Sequence, residues 1–267
     1  MSLRGDCMRH YLLPLCAALT FSVCSLAQDQ PQPMTHVALY KIKPNKVADW
    51  SAVMKGVYTP VLEQMLNEGA VAGYGVDLDI LHQAGKTNAS AWFIVPDWAA
   101  YAKVSAAIDE AAKKSPGQMV RLQEATDPEA HQDLLVRATM MSVVKPPAGA
   151  LPVGSYTMIR VKPGKNQAWM KLVNAYEKPV LEQLLKDGAI WGYGIDVEVE
   201  HTMPVGTHVQ WMTLPNLAAR DKVAAAFRTA RSRLSEDGRR TLQASYEEVL
   251  ETEHTDWMSQ AIVFGSR

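Results

Sequence analysis

Apolar positions along the first part of the chain switch from an alternating pattern to a helical one. Residues 36–43 (HVALYKIK) alternate in character, which is typical of a β-strand. From Val47 to Leu66 the apolar residues recur at three- and four-residue spacing, which predicts an amphipathic helix. Pro60 removes a backbone donor within this helix and predicts a kink, and Gly69 is placed to cap its C-terminus.

The following residues predict a β-hairpin and then a second helix. Residues 71–82 and 89–95 read as strands separated by a turn that contains glycine and asparagine. Asp97 stands before a second helical pattern and is predicted to be its N-cap. A last strand is expected at residues 134–144, so the segment reads strand, helix, strand, strand, helix, strand.

The whole pattern occurs twice. Residues 61–82 and 180–201 align with 12 identities in 22 positions, and corresponding residues lie 119 apart. Pro179 and Gly188 repeat the helix kink and cap, Asn216 repeats the second N-cap, and the second copy ends with a strand predicted at residues 258–264. A repeat of this length indicates a duplicated domain rather than a solenoid.

This order of elements predicts an α+β protein made of two tandem ferredoxin-like (βαββαβ) units. The units are expected at residues 36–144 and 155–267, with a proline- and glycine-rich linker at residues 145–154. In each unit the helices cover one face of the sheet, and the other face is also apolar. We therefore expect the two units to pack sheet to sheet as an intramolecular dimeric α/β barrel.

The N-terminal residues have the character of an export signal. Residues 1–27 contain basic residues, then an apolar run, then the small residues Ser25 and Ala27 before a cleavage point, and residues 28–35 form a polar leader. Soluble export to the periplasm or the extracellular space is therefore expected. All three cysteines, Cys7, Cys16 and Cys24, lie in the segment to be removed, which excludes thiolate chemistry and disulfides from the mature chain.

The charge balance limits the partners. The formal net charge is −1, and no basic run suited to nucleic acid or to a membrane surface is present. The expected partner is a small molecule, with no nucleic acid and, after signal removal, no membrane. Because the chain carries both units, it is expected to be a pseudo-dimer by itself.

The tandem duplication, the topology and the kinked first helix resemble the dimeric α/β-barrel superfamily in a single-chain form. That superfamily includes antibiotic-biosynthesis monooxygenases, stress-responsive A/B-barrel proteins, EthD and NIPSNAP proteins, muconolactone isomerases and haem-degrading oxygenases. The resemblance implies a pocket in each unit, between sheet and helices, for a small and often aromatic molecule. Haem-degrading members are expected to carry a histidine ligand on the second helix of the unit, and residues 98–114 contain none, so no cofactor is expected.

Paired positions supply the candidate site. A phenol, an imidazole and an indole on one apolar wall would suit an aromatic ligand, with the imidazole as acid or base. If Trp92 pairs opposite Ile80 in the hairpin, Tyr74, His82 and Trp92 share a face of the sheet, whereas a slip of one residue moves Trp92 to the other face. The expected ligand-binding residues are Tyr74, Trp92, Tyr193 and Trp211, and the expected acid/base pair is His82 and His201.

Each of these readings has a structural alternative. Large aromatic residues on strands are usually packing, and the histidines could simply mark the ends of strands. Asp77 and Asp79 are spaced so that a hard cation could be held, but solvated charge is commoner and no metal site is predicted. His131 and His254 each precede an aspartate by two residues, a spacing that can orient an imidazole but is as common at a helix end.

The sequence thus favours an exported barrel that binds a small apolar or aromatic molecule, with cofactor-independent monooxygenase or isomerase chemistry implied by the resemblance. The alternative is a non-catalytic structural or stress-related barrel in which the paired aromatics are core. Ala72 and Trp191 differ between the copies, so one pocket could be filled while the other stays open.

Overall fold

The structure, a computed structural model, describes residues 32–81, 86–200 and 203–267. The predicted signal peptide therefore lies outside the described residues, as do His82 and His201. Within the described part, no helix is long and apolar enough to cross a bilayer. The eight strands are β1 Met34–Tyr40, β2 Gly73–Asp79, β3 Ala89–Val95, β4 Gln132–Val143, β5 Val153–Val161, β6 Gly192–Glu198, β7 Thr207–Leu214 and β8 Leu250–Ser266.

These strands form one closed antiparallel barrel. Their order around it is β1, β3, β2, β8, β5, β7, β6, β4 and back to β1. Four neighbouring strands come from the first half of the chain and four from the second. The halves are joined at two seams, where β2 pairs with β8 and β4 pairs with β6, so that no sheet edge of either half stays open along its length.

The helices lie outside the barrel. They are α1 Val47–Val53, α2 Thr59–Glu68, α3 Trp98–Lys114, α4 Pro116–Ala125, α5 Asn166–Leu172, α6 Lys178–Lys186, α7 Ala219–Ser232 and α8 Glu236–Val249. Their apolar sides cover the outer face of the strands, as the contacts of Tyr74 with Leu62 and Met65 show. The barrel interior holds a separate apolar cluster that includes Leu134 and Val136. An α+β barrel with external helices is therefore confirmed.

A π-helical turn lies at the predicted kink in both copies. Met54–Tyr58 separates α1 from α2, and Val173–Glu177 separates α5 from α6. Each turn ends just before the proline, whose missing N–H cannot continue the α-helical pattern. In the first copy the Thr59 hydroxyl donates to the Met54 carbonyl at 3.0 Å, which satisfies an acceptor inside the turn. Gly69 adopts the left-handed conformation (φ 88°) that the predicted cap requires.

Strand bounds were predicted best where the apolar pattern is strongest. β3 occupies residues 89–95 as expected, whereas β8 begins eight residues before the predicted 258. Residues 251–256 of β8 are exposed and polar, so their strand conformation depends on pairing with β5 and leaves no alternating apolar pattern. β5 likewise begins at Val153, inside the predicted linker.

The predicted N-caps are present. The Asp97 carboxylate accepts from the backbone N–H of Ala100 at 2.8 Å, and the Asn216 side-chain oxygen accepts from that of Ala219 at 3.2 Å. We expect Asp97→Ala to lower the free energy of unfolding by about 1 kcal/mol, because it leaves a helix N–H without its acceptor. Urea denaturation measures this. Asp97→Asn keeps the acceptor, and an equal loss in that variant would contradict the capping explanation.

Candidate functional site

The repeated tryptophans lie inside the barrel. Trp92 pairs across the hairpin with Gly75 and not with Ile80, so the register differs from the expected one by five residues, an odd number that moves Trp92 to the other face of the sheet as a slip of one residue would. Trp92 therefore shares a sheet face with Asp77, and its indole N–H donates to the Asp77 carboxylate at 2.7 Å. The indole lies over Gly75, where a Cβ atom would be 2.6 Å from the ring. Glycine is needed there because the ring takes the space of a side chain.

The second copy repeats this arrangement. Trp211 pairs with Gly194 and hydrogen-bonds to Asp196. The motif Gly-Tyr-Gly-Val/Ile-Asp occurs at residues 73–77 and 192–196. In each copy its second glycine makes room for the indole inside the barrel, and its aspartate accepts a hydrogen bond from that indole. Asp77 and Asp196 also stand beside the β-bulges at the two seams.

Burial governs the titration of both interior carboxyl groups. Burial raises the pKa of Asp77 to about 7, opposed by the hydrogen bond from Trp92. Burial raises the pKa of Asp196 to about 6, against the hydrogen bond from Trp211. The two groups therefore change charge near neutral pH, which is unusual for aspartates with an ordinary pKa of 3.8.

The repeated tyrosines lie on the other face. Tyr74 and Tyr193 are almost fully buried between the strands and the helices. A shared face for Tyr74 and Trp92 is therefore wrong, because adjacent positions of β2 point to opposite sides of the sheet. Asp79 follows Asp77 on the inner face, and the described residues contain no group of three acidic, histidine or cysteine residues able to hold a metal ion.

A half-open cavity lies between the sheet and the helices of the second half. Its volume is about 100 Å³. Most of its walls are apolar, and the polar side chains of Glu177 and Gln210 meet at the π-helical turn. The lining residues are Met140, Ser155, Thr157, Glu177, Leu181, Gly194, Ile195, Gln210, Trp211, Met212 and Phe227.

Glu177 is the ionisable group of this cavity. Its Oε1 accepts from the Tyr246 hydroxyl at 2.6 Å, and its Oε2 accepts from the Gln210 amide at 3.0 Å. Burial raises the pKa of Glu177, while these two hydrogen bonds oppose the shift. Burial and the neighbouring Glu177 in turn raise the pKa of Tyr246, which keeps that phenol a donor. A carboxyl group held in this way can accept a proton from a bound molecule.

The first half carries different residues at the corresponding positions. Tyr58 stands where the second half has Glu177, and Ala91 where it has Gln210. The Tyr58 hydroxyl contacts the Met119 sulfur at 3.8 Å. The carboxyl site therefore belongs to the second copy alone. Glu177 and Gln210 were not among the predicted site residues, because those were chosen as residues that are identical in the two copies. The signal that could have found the site is the change from Tyr58 to Glu177, two residues before the proline of each copy.

Of the predicted ligand-binding residues, only Trp211 lines the cavity. Ligand binding by Tyr74, Trp92 and Tyr193 stays a prediction. A haem group does not fit the cavity, since its lining includes no histidine or cysteine and its volume of about 100 Å³ is far too small for a macrocycle.

Comparisons with known proteins identify the fold. No protein-family model and no curated protein sequence matches the chain. A provisionally named monooxygenase from Fusobacterium nucleatum has 11% identity and a TM-score of 0.60, with 88% of this chain and 95% of that one covered. A protein of the same provisional name from Lactobacillus acidophilus has 8% identity and a TM-score of 0.61, covering 88% and 96%.

An anthrone oxidase-like protein, at 10% identity, has a TM-score of 0.51 and covers 89% of this chain and 94% of that one. At such identities the likeness shows the fold alone. The chain is similar to these proteins over almost all of its described length, and it shares with them the fold of a closed antiparallel barrel with external helices.

Proposed function

We propose that the second half of the barrel binds a small, mainly apolar molecule with one acidic hydroxyl or C–H group, and that Glu177 accepts the proton. The observation that carries this proposal is the buried Glu177 carboxyl, held by Tyr246 and Gln210 at the wall of a half-open apolar cavity. The apolar lining supplies binding, and the carboxyl group supplies orientation and proton transfer.

The chemistry needs no cofactor. In an isomerisation, Glu177 takes a proton from a carbon or oxygen next to a carbonyl group and returns it at another atom of the same molecule. In a monooxygenase reaction, dioxygen is the second substrate: one oxygen atom enters the product, the other leaves as water, and the two electrons and two protons that form the water come from the organic substrate. The monooxygenase names of the structural neighbours support this class only as far as a shared fold can.

Further parts of the proposal concern the whole chain. The strand order within each half supports two ferredoxin-like units in tandem, and the repeat at residues 61–82 and 180–201 supports their origin by duplication. The basic and apolar character of residues 1–27 supports export. The competing non-catalytic role is favoured by one observation, namely that Trp92 and Asp77 satisfy each other inside the barrel.

Phenol and toluene test the site, because they have nearly the same shape and only phenol has an O–H to donate. We expect Glu177→Gln to weaken phenol binding roughly tenfold or more, since a charge-assisted hydrogen bond becomes a neutral one, while toluene binding stays the same. Isothermal titration of the full chain measures both affinities.

The matched control is Glu182→Gln, which changes an exposed glutamate on the neighbouring helix α6 that pairs with Lys178. It should leave both affinities unchanged. Equal binding of phenol by the wild-type protein and Glu177→Gln would remove the proposed role, and failure of both probes to bind would favour the structural function.

A further inference from the structure

A second group of ionisable residues lies on the outer face of the first half. The Asp133 carboxylate at the start of β4 contacts two histidines, since its Oδ1 is 3.1 Å from His36 Nε2 and its Oδ2 is 3.4 Å from His131 Nε2. His36 is on β1, and its side chain is 19% exposed. The cluster is therefore partly sheltered but within reach of a small molecule.

The contact with Asp133 fixes which ring nitrogen of His36 donates to it. Because a carboxylate only accepts, Nε2 carries a hydrogen, and in the neutral form of the ring the lone pair is on Nδ1. Nδ1 of His36 has no hydrogen-bond partner among the described residues. His131 is anchored separately, because its Nδ1–H donates to the carbonyl oxygen of Leu39 at 2.9 Å, and its Nε2 can donate to Asp133 only when the ring is protonated.

The second half shows that this arrangement is specific to the first. His254 and Asp256 repeat the His131–Asp133 pair, again with 3.4 Å between Nε2 and Oδ2. There, however, the Thr157 hydroxyl donates to Asp256 Oδ1 at 2.6 Å. Thr157 corresponds to Ala38 in the first half, and alanine has no hydroxyl group. Asp133 Oδ1 therefore accepts a hydrogen bond from His36 instead.

The position of His36 in the fold is that of a pocket residue. Its counterpart in the repeat is Ser155, which lines the cavity of the second half. Corresponding strand pairing confirms the match, since His36 lies opposite Phe93 and Ser155 lies opposite Met212. The His36 ring is bordered by aromatic edges, with Phe93 at 5.0 Å and Tyr101 at 5.8 Å between ring centres.

We propose that the first half holds a second, chemically different site, in which His36 is the base and Asp133 its positioning residue, for an aromatic molecule with an acidic hydroxyl group. The two copies have thus diverged into a carboxyl site and an imidazole site on one barrel. This proposal rests on the first-half residues and is independent of Glu177.

The proton transfer balances without a further reactant. The O–H bond of the ligand breaks and an N–H bond forms at His36 Nδ1, which leaves a phenolate next to an imidazolium. Asp133 stabilises the imidazolium through its hydrogen bond to Nε2–H. Phe93 and Tyr101 pack edge-on against the His36 ring and limit its movement, so that Nδ1 keeps its direction.

The test uses 4-nitrophenol, whose ionised form absorbs visible light, and the full chain with ¹⁵N-labelled histidine. The ¹⁵N resonances of the His36 ring are assigned by their loss in His36→Asn. They should show hydrogen on Nε2 in the free protein and should shift when 4-nitrophenol is added. Asp133→Ala should shift the Nε2 resonance of His36 in the free protein, because Nε2–H loses its acceptor, and should weaken 4-nitrophenol binding about tenfold. If Asp133 served folding alone, the His36 nitrogens of a folded Asp133→Ala protein would respond to 4-nitrophenol as in the wild-type protein.

Ala38→Thr is the matched variant, because it introduces the competing hydroxyl of the second half. It should displace His36 from Asp133 and reproduce the effects of Asp133→Ala in a folded barrel. Glu177→Gln should leave the response of His36 unchanged. The proposal is overturned if the His36 signals do not respond to 4-nitrophenol, or if Ala38→Thr and Asp133→Ala leave both the Nε2 resonance of His36 and the affinity for 4-nitrophenol as in the wild-type protein.

Discussion

Gly194→Ala is expected to lower the free energy of unfolding by roughly 3 kcal/mol or more, as is typical when a packed core is overfilled against rigid neighbours. A Cβ atom at this position would lie 2.5 Å from the Trp211 ring and 2.8 Å from the Met140 backbone oxygen. The ring cannot move freely, because its N–H is bonded to Asp196. The Met140 backbone oxygen belongs to β4 at the seam between the halves. A shift of this oxygen away from the new Cβ atom would disturb the pairing of β4 with β6.

Chemical denaturation of Gly194→Ala and of a control glycine variant measures this effect. Gly117 lies in helix α4 with nothing within 4 Å of its would-be Cβ, so Gly117→Ala should be neutral or stabilising by up to about 1 kcal/mol. A Gly194→Ala protein as stable as the wild type would show that the indole and the seam adapt without cost. Gly75→Ala should cost less, because the three atoms nearest to its Cβ all belong to the Trp92 ring and none to the backbone.

Asp77→Asn is expected to stabilise the protein at pH 8 and to have little effect at pH 4. The folded state raises the pKa of Asp77 from 3.8 to about 7, so between these values the folded protein binds more protons than the unfolded chain. Stability contributed by this group is therefore present at pH 4 and declines as pH rises to 7. Three units of pKa shift correspond to roughly 4 kcal/mol as an upper bound.

Asparagine suits the site because its side-chain oxygen can still accept from Trp92 and its amide can donate to Ser90, which hydrogen-bonds to Asp77. We expect Asp77→Asn to raise the free energy of unfolding at pH 8 by roughly 2 kcal/mol, which is about half of the upper bound given by the pKa shift. Urea denaturation of both proteins across pH 4 to 8 provides the comparison. If the free energy of unfolding changes with pH in the same way for the wild-type protein and for Asp77→Asn, Asp77 ionises as readily in the folded protein as in the unfolded chain. Asp196→Asn should act in the same direction over a narrower pH range.

Much of the architecture was predictable because it depends on local patterns that occur twice. Helix spacing, the prolines in the first turns of α2 and α6, the caps at Asp97 and Gly69, and strand β3 are each specified by neighbouring residues. The polar start of β8 was missed because its strand conformation comes from a partner, β5, nearly a hundred residues away.

The candidate site was less predictable. Identity between the copies drew attention to tyrosine, tryptophan and aspartate, and the structure shows that Trp92 and Asp77 satisfy each other inside the barrel. Glu177 and His36 differ from their counterparts, Tyr58 and Ser155, and these differences mark the two proposed sites. In a duplicated chain, shared residues record what both halves need to fold, and divergent residues at equivalent positions are where separate chemistry can arise.

The sequence by itself determined the duplication, the order of helices and strands in each copy and the absence of cysteine after residue 27. These follow from composition and from short-range periodicity. Only the tertiary structure decided that Trp92 faces inward, because a hairpin register one residue different would have turned it outward. It also decided that Glu177 meets Gln210 and Tyr246, and His36 meets Asp133, since such contacts join residues 33 to 97 positions apart and depend on closure of the barrel and packing of the helices.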